Sequence, residues 1–136
     1  MKPIALESEQ AFREQVLGAG RPALVMFYKT GCPTCLMLLP GLAKLAREYD
    51  GRATIAEYRH LSALFQAKSK ELMQEYRVHL VPTVILFVDG QERKRWFMEY
   101  RLSRYRKALD KALAGQPVEP DEAATGAGAA RPETSG

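Results

Sequence analysis

The chain has 136 residues, of which 46% are hydrophobic and 26% charged, with a formal net charge of +4 and two cysteines. This length and composition fit one ordinary globular domain and leave hardly any room for a second. No apolar run approaches the roughly 18 residues that a membrane-spanning helix needs, and two cysteines are too few for a secreted fold held together by several disulfides.

Apolar and helical patterns predict eight elements, which are helix 9–17, strand 23–28, helix 33–49, strand 53–58, helix 64–76, strand 81–88, strand 93–98 and helix 103–114. Ser8 and Ser103 are expected to be the N-caps of the first and last helices. Pro40 predicts a kink in the second helix. Asp89-Gly90 is the strongest short hairpin signal and joins the last two strands.

The order of these elements predicts an α/β fold. Strands joined by helices are expected to lie parallel, and the hairpin adds an antiparallel edge. The expected architecture is a central mixed sheet of four to five strands flanked by helices on both faces. Residues 1–114 would form this domain. Residues 115–136 are rich in Ala, Gly, Pro and acidic residues and are predicted to be a disordered tail.

The two cysteines, Cys32 and Cys35, lie three residues apart, where a buried strand turns into a helix. The nucleophile in thiol–disulfide exchange is the thiolate, and free N–H groups at a helix N-terminus stabilise an anion. Pro33 is tolerated there because its missing N–H would have had no partner. The predicted roles are Cys32 as attacking thiol and Cys35, one turn further in, as resolving thiol.

Other interpretations of the pair remain open at this point. A zinc site would need about four ligands, and only His60 and His79 are available besides the cysteines; their spacing fits no usual finger. The cysteines could also be purely structural. The fold could instead serve a binding or chaperone role in which the pair is redox-idle.

Over residues 5–114 the chain resembles the thioredoxin family. The resemblance rests on the strand 25–28, the motif 32–35, Pro40, the tripeptide 81–83, the hairpin 87–90 and the last helix. It implies a thioredoxin fold and a cis peptide bond before Pro82, which would pack beside the cysteines. It also implies that Val81 offers backbone hydrogen bonds to an extended substrate. Gly31, Pro33 and Thr34 complete the predicted substrate contacts.

The chain also departs from the family pattern around the pair. Thioredoxins usually have tryptophan before the first cysteine and Gly-Pro between the two, where this chain has Gly31 and Pro33-Thr34. Intervening residues tune the redox potential, and the Thr34 hydroxyl can reach a nearby sulfur. Met98 stands where the family's substrate groove has a glycine.

The buried acid that thioredoxins keep below the cysteines falls on Met26 here, and its usual lysine neighbour falls on Glu57. We expect the carboxylate to have moved to Glu57 and to accept the proton of Cys35. The alternative is that Glu57 reaches solvent or pairs with a basic neighbour.

Several further residues could take part, but each has an ordinary structural explanation. His79 precedes Pro82 by three residues, and Tyr28 and Lys29 lie on the approach to the motif. The aromatic residues of the late segment, Trp96, Phe97 and Tyr100, are expected to pack at the sheet edge, with docking by Trp96 as the alternative. The eight basic residues between positions 93 and 111 fit a solvated face better than a nucleic-acid site.

The sequence therefore predicts a disulfide reductase that acts on protein disulfides and is reset by an upstream reductase or other electron donor. An oxidase or isomerase of the same fold is the alternative. No metal or organic cofactor is expected, since the dithiol is itself the redox group. The N-terminus turns acidic at Glu7 before an apolar signal core can form, which predicts no leader and a cytoplasmic location. We expect a monomer without membrane or nucleic-acid partners.

Overall fold

The computed structural model of the chain describes residues 3–6, 8–29, 31–60 and 72–118, apart from the side chain of His60. In chain order its elements are β1 (Ile4–Leu6), α1 (Glu9–Phe12) with a π-helical turn (Arg13–Leu17), β2 (Ala23–Lys29), α2 (Pro33–Leu36), α3 (Leu39–Glu48), β3 (Thr54–His60), β4 (Thr83–Val88), β5 (Gln91–Phe97) and α4 (Leu102–Leu113). Residues 72–75 form a further helical turn.

The strands form one five-stranded sheet in the order β1-β3-β2-β4-β5. Strands β1, β3 and β2 run parallel, β4 is antiparallel to β2, and β5 is antiparallel to β4. The predicted mixed α/β sheet is therefore confirmed. The sequence patterns missed β1, because three residues are too few to show an alternating pattern.

The central strand β2 is apolar throughout because both of its faces are covered. Alternate residues Leu24, Met26 and Tyr28 join a core cluster with residues of α2, α3 and α4. The residues between them join a second cluster, together with Phe12 and Leu72 from the other side of the sheet. The predicted helical cover on both faces is thus confirmed, and Cys35 belongs to the first cluster.

The predicted helix 33–49 is two helices in the structure. The regular helix is interrupted by turns at residues 37–38, although both residues keep right-handed helical backbone angles, and Pro40 lies in the first turn of α3. Proline is favoured in a first turn, where its missing N–H costs nothing. The irregularity predicted at Pro40 is therefore found as an interruption between α2 and α3 just before the proline, and the kink itself stays a prediction.

The predicted hairpin between β4 and β5 is confirmed. Asp89 and Gly90 both have positive φ, at 55° and 77°, as a type I′ turn requires. Strand β5 begins at Gln91, two residues earlier than expected. Strand β4 begins only at Thr83, after Pro82, which has no N–H to give to a neighbouring strand.

The two predicted serine caps have different outcomes. The Ser8 hydroxyl accepts a hydrogen bond from the Ala11 N–H at 3.0 Å and caps α1 as expected. The cap of α4 is Arg101, without a side-chain hydrogen bond, and Ser103 is exposed inside the helix. The prediction for Ser103 was wrong because a serine shortly before an apolar helical pattern marks a helix start only to within a residue or two.

This difference gives a stability test. Ser8→Ala is expected to lower the free energy of unfolding by about 1 kcal/mol, because it removes the cap of α1. Ser103→Ala is the matched control and should cost nothing, since alanine is the better helix former. Urea unfolding followed by circular dichroism measures both. Equal losses in the two variants would contradict the assignment of the caps.

Two predictions fall largely outside the described residues. The predicted helix 64–76 is described only from residue 72 onward, and the predicted disordered tail only as far as residue 118. The end of the domain at residue 114 and the disorder of residues 115–136 remain predictions.

Candidate active site

Cys32 and Cys35 form a disulfide at the start of α2, with their Cα atoms 5.3 Å apart. Cys32 is the N-cap of α2 and Cys35 lies in its first turn. The Cys35 N–H points at the Cys32 sulfur, with nitrogen and Sγ 3.3 Å apart. The same N–H also donates to the Cys32 carbonyl at 3.1 Å, so it is shared between that oxygen and the sulfur.

The two cysteines differ in their access to solvent. Cys35 is completely buried, whereas Cys32 is half-buried. A partner disulfide can therefore reach Cys32 first. Gly31 holds the turn before Cys32 with a φ of +81°, and no atom lies within 4 Å of where a Cβ would stand. Glycine is thus needed there for its backbone conformation rather than for space.

Thr34 has two contacts that fix the turn between the cysteines. Its Oγ1 lies 3.3 Å from the Cys32 sulfur, as the sequence suggested. Its carbonyl accepts a hydrogen bond from the Tyr100 hydroxyl at 3.1 Å. Sequence reasoning assigned Tyr100 to packing only and missed this bond. No local signal could have shown it, because the two residues are 66 positions apart.

Pro82 lies at the same end of the sheet as the cysteines. Phe27 of β2 is opposite Thr83 of β4, so the chain leaving β2 toward Cys32 runs beside the chain entering β4 from Pro82. The Val81–Pro82 bond is cis, as the resemblance implied. The Pro82 carbonyl accepts a hydrogen bond from the Met98 N–H at 3.1 Å. Val81 is half-buried against the cluster that contains Cys35.

Glu57 lies on the sheet face that carries Cys35. It pairs in register with Met26 of the neighbouring strand, and Met26 and Cys35 share one core cluster. Glu57 is half-buried, and its Oε1 accepts a hydrogen bond from the Tyr28 hydroxyl at 2.6 Å. The hydrogen bond described for this carboxylate is therefore to a tyrosine hydroxyl rather than to a basic residue. The proton-acceptor role of Glu57 remains a prediction.

Tyr28 has a larger part than the sequence suggested. Burial, and next the hydrogen bond to Glu57, raise the pKa of Tyr28 to about 12. The hydroxyl consequently stays protonated and remains a donor to the Glu57 carboxylate at any physiological pH. The sequence offered a part in the site for Tyr28 beside ordinary packing, but it could not show this contact, which depends on the strand register.

A family model described as thioredoxin matches residues 3–113 of the chain. The chain belongs to the thioredoxin family. Together with the disulfide at Cys32 and Cys35, family membership supports the predicted thiol–disulfide oxidoreductase function of the domain.

Individual thioredoxins and related proteins show the same likeness. The chain is 33% identical over 84 residues to the chloroplastic thioredoxin X of Arabidopsis thaliana, covering 62% of this chain and 43% of that protein. It is 34% identical over 88 residues to a thioredoxin of Mycobacterium bovis, covering 65% of this chain and 71% of that protein. The same identity and length relate it to the bifunctional thioredoxin reductase/thioredoxin of Mycobacterium leprae, of which 18% is covered. The match therefore spans less than half of two of these three relatives.

The remaining candidates differ in burial and in position relative to this thioredoxin site. His79 is exposed in the loop before Pro82. Trp96 is buried and packs edge-on against Tyr105 at 4.8 Å between ring centroids. The packing interpretation of Trp96 is confirmed and the docking alternative is wrong. Phe97, expected to pack, is instead 43% exposed, and Lys29 is exposed beside the motif.

Much of the basic late segment is neutralised within the molecule. Arg95 pairs with Glu92, Arg106 pairs with Glu48 of α3, and both Arg101 and Arg104 reach the Glu99 carboxylate. The Lys94 ammonium lies 5.6 Å from the Trp96 ring centroid. These contacts favour the interpretation of a solvated face held by ion pairs.

Two features are absent from the described residues. No cluster of three or more His, Cys, Asp or Glu side chains there is arranged to hold a metal ion. Within the same part of the chain, no helix has the length and apolar character to cross a membrane.

Proposed function

We propose that this thioredoxin-family domain reduces protein disulfides, with Cys32 as the attacking and Cys35 as the resolving thiol. The observation that carries the proposal is the difference in burial between the two cysteines, since Cys32 is half-buried and Cys35 fully buried. A bulky substrate disulfide meets only the more exposed sulfur, while the buried one can attack only a bond formed at Cys32.

The proposed reaction begins with the reduced pair. The Cys32 thiolate attacks one sulfur of the substrate disulfide, that bond breaks, and the released substrate thiolate takes up a proton. Cys35 then loses its proton and attacks the Cys32 sulfur, which releases the second substrate thiol. Two electrons have passed to the substrate, and the Cys32–Cys35 disulfide remains for an electron donor to reduce.

Neighbouring groups are proposed to assist each step. The Cys35 N–H stabilises the Cys32 anion at 3.3 Å, with the Thr34 hydroxyl at the same distance from the sulfur. Glu57 accepts the Cys35 proton, held in place by Tyr28. Val81 offers its backbone to an extended substrate, and the cis peptide before Pro82 shapes that surface, with Gly31 and Pro33 beside the attacking sulfur.

The proposal extends to partners and location. Substrates would be proteins that carry disulfides, and an upstream reductase would return the electrons, as suggested by the relative named bifunctional thioredoxin reductase/thioredoxin. The dithiol would be the redox group without an organic cofactor. A monomer in the cytoplasm fits a chain that has two cysteines and uses both in one local pair.

The direction of electron flow is tested by the redox potential of the pair. A reductase should equilibrate with a glutathione buffer near the roughly −270 mV of thioredoxin, whereas a disulfide-forming oxidant lies near about −120 mV. The fraction of oxidised pair in buffers of defined glutathione ratio, read by thiol alkylation, gives the value. A potential above about −180 mV would favour the oxidase or isomerase alternative.

Turnover of insulin disulfides with dithiothreitol as donor separates the enzyme from a binding module. Wild-type protein should accelerate insulin precipitation. No acceleration over dithiothreitol alone would favour the thioredoxin-fold binding module with an idle pair.

A further inference from the structure

Met98 has a positive φ, a backbone conformation that favours glycine. Three described residues other than glycine have positive φ, namely Arg77, Asp89 and Met98. Arg77 ends a helical turn, where the Val78 N–H bonds back to the Met73 carbonyl at 2.8 Å. Asp89 makes the hairpin turn, a position that aspartate tolerates. Met98, at φ 54°, lies in neither such turn and is not a residue type that favours positive φ.

The backbone at Met98 is fixed by the active site. Its N–H donates to the carbonyl of Pro82, so the conformation joins the end of β5 to the cis-proline loop. Glycine would make the same bond without the steric cost of a Cβ at positive φ. The methionine is 43% exposed. Packing of its side chain therefore offsets only part of that steric cost.

Exposed apolar side chains are concentrated near this residue and the cysteines. Six large hydrophobic residues of the described chain are exposed, namely Leu36, Met37, Leu80, Phe97, Met98 and Leu113. Leu36 and Met37 directly follow Cys35, Leu80 precedes Val81, and Phe97 pairs with Thr83. Only Leu113, at the end of α4, lies apart in sequence and register from the site. Exposed apolar groups gathered in this way mark a contact surface.

We propose that Met98 is a specificity-determining residue, which makes the protein prefer disulfides whose cysteine is flanked by apolar side chains. The inference rests on the proposed reduction of protein disulfides and names the substrate class. A chain lying along Val81 and Pro82 passes residue 98, whose backbone N–H is bonded to the Pro82 carbonyl and whose side chain is exposed beside it. The flexible thioether adapts to apolar neighbours, whereas a charged neighbour would lose part of its hydration without gaining a partner.

Two peptides test this preference. Both carry one cysteine as a mixed disulfide with thionitrobenzoate, flanked by leucines in one peptide and by Glu and Lys in the other. Attack by reduced protein on the peptide sulfur releases the coloured thiolate, which gives a second-order rate constant for each peptide. We expect wild-type protein to favour the leucine peptide about fivefold, and Met98→Gly to bring the ratio close to one.

Two control variants test whether the preference comes from the apolar side chain of Met98. Met98→Gln keeps the length of the side chain but makes it polar, and should also lose most of the preference. Arg77→Gly relieves a positive φ away from the cysteines, and should keep both rate constants and their ratio.

The inference and the proposed function fail in different ways. A wild-type ratio of one, or a ratio that survives in Met98→Gly, would overturn the role of Met98 while leaving the reductase intact. If wild-type protein attacks neither peptide and does not reduce insulin, the reductase proposal itself falls, and the specificity with it.

Discussion

Replacing Cys32 by serine should abolish insulin reduction, whereas replacing Cys35 by serine should leave a protein that captures its substrate and cannot release it. A serine hydroxyl does not ionise near neutral pH, so Cys32→Ser loses the nucleophile. We expect turnover to fall by more than about a thousandfold. In Cys35→Ser the first attack proceeds, and the mixed disulfide at Cys32 persists because nothing resolves it.

Non-reducing electrophoresis and mass spectrometry after incubation with insulin distinguish the two variants. Cys35→Ser should run as a covalent adduct that dithiothreitol removes, and Cys32→Ser should not. The matched stability reference is reduced wild-type protein, because both variants lack the disulfide. The opposite result, an adduct in Cys32→Ser only, would reverse the two roles and contradict the argument from the burial of Cys35.

The parts of this site that the sequence could predict are those encoded locally. The Cys32–Cys35 pair, the buried strand before it and the Asp89-Gly90 turn depend on residues within a few positions of one another. Local backbone preference decides such features before any tertiary contact forms. The cis bond at Pro82 came from the family resemblance instead, since no pattern of neighbouring residues distinguishes it from a trans bond.

The contacts that complete the site could not be predicted in this way. The bond from Tyr100 to the Thr34 carbonyl joins residues 66 positions apart, and the Tyr28–Glu57 bond depends on the register of β2 against β3. A shift of one residue would place Glu57 on the opposite face of the sheet. The sequence therefore suggested that Glu57 mattered, but only the register assigns it to the same face as Cys35.

The broken helix illustrates a second limit. The apolar spacing of residues 33–49 is helical throughout, yet the chain makes two helices with α2 only four residues long. Pro40 cannot donate a hydrogen bond to the turn before it, and the structure absorbs this by starting a new helix at Leu39. The donor that the structure places beside an anion at Cys32 is the Cys35 N–H, 3.3 Å from the sulfur.

The strongest test of the proposed proton acceptor is Glu57→Gln. Glutamine keeps the size of the side chain but cannot take up a proton from Cys35, so resolution of the mixed disulfide should slow. Positioned general bases contribute about a hundredfold or more, and we expect a loss of about ten- to a hundredfold at pH 7. The first attack by Cys32 should hardly change.

The pH dependence identifies the cause of that loss. An unassisted thiol ionises near about pH 8.5, so Cys35 needs its acceptor less as the pH rises. The defect of Glu57→Gln should therefore be largest between pH 6 and 7 and shrink toward pH 9. Rapid-quench measurement of mixed-disulfide decay across this range gives the profile, and a profile that coincides with that of wild-type protein would discard the role of Glu57.

Two further variants separate proton transfer from charge and packing. Glu48→Gln also removes one carboxylate, but that group pairs with Arg106 away from the cysteines, and decay should follow the wild-type profile. Tyr28→Phe keeps the Glu57 carboxylate and the buried ring while removing the 2.6 Å hydrogen bond that holds it. If the carboxylate must be oriented to receive the proton, decay of the mixed disulfide should be a few-fold slower in this variant at pH 7. If Tyr28→Phe instead matches wild-type protein while Glu57→Gln is slow, Glu57 accepts the proton without help from Tyr28.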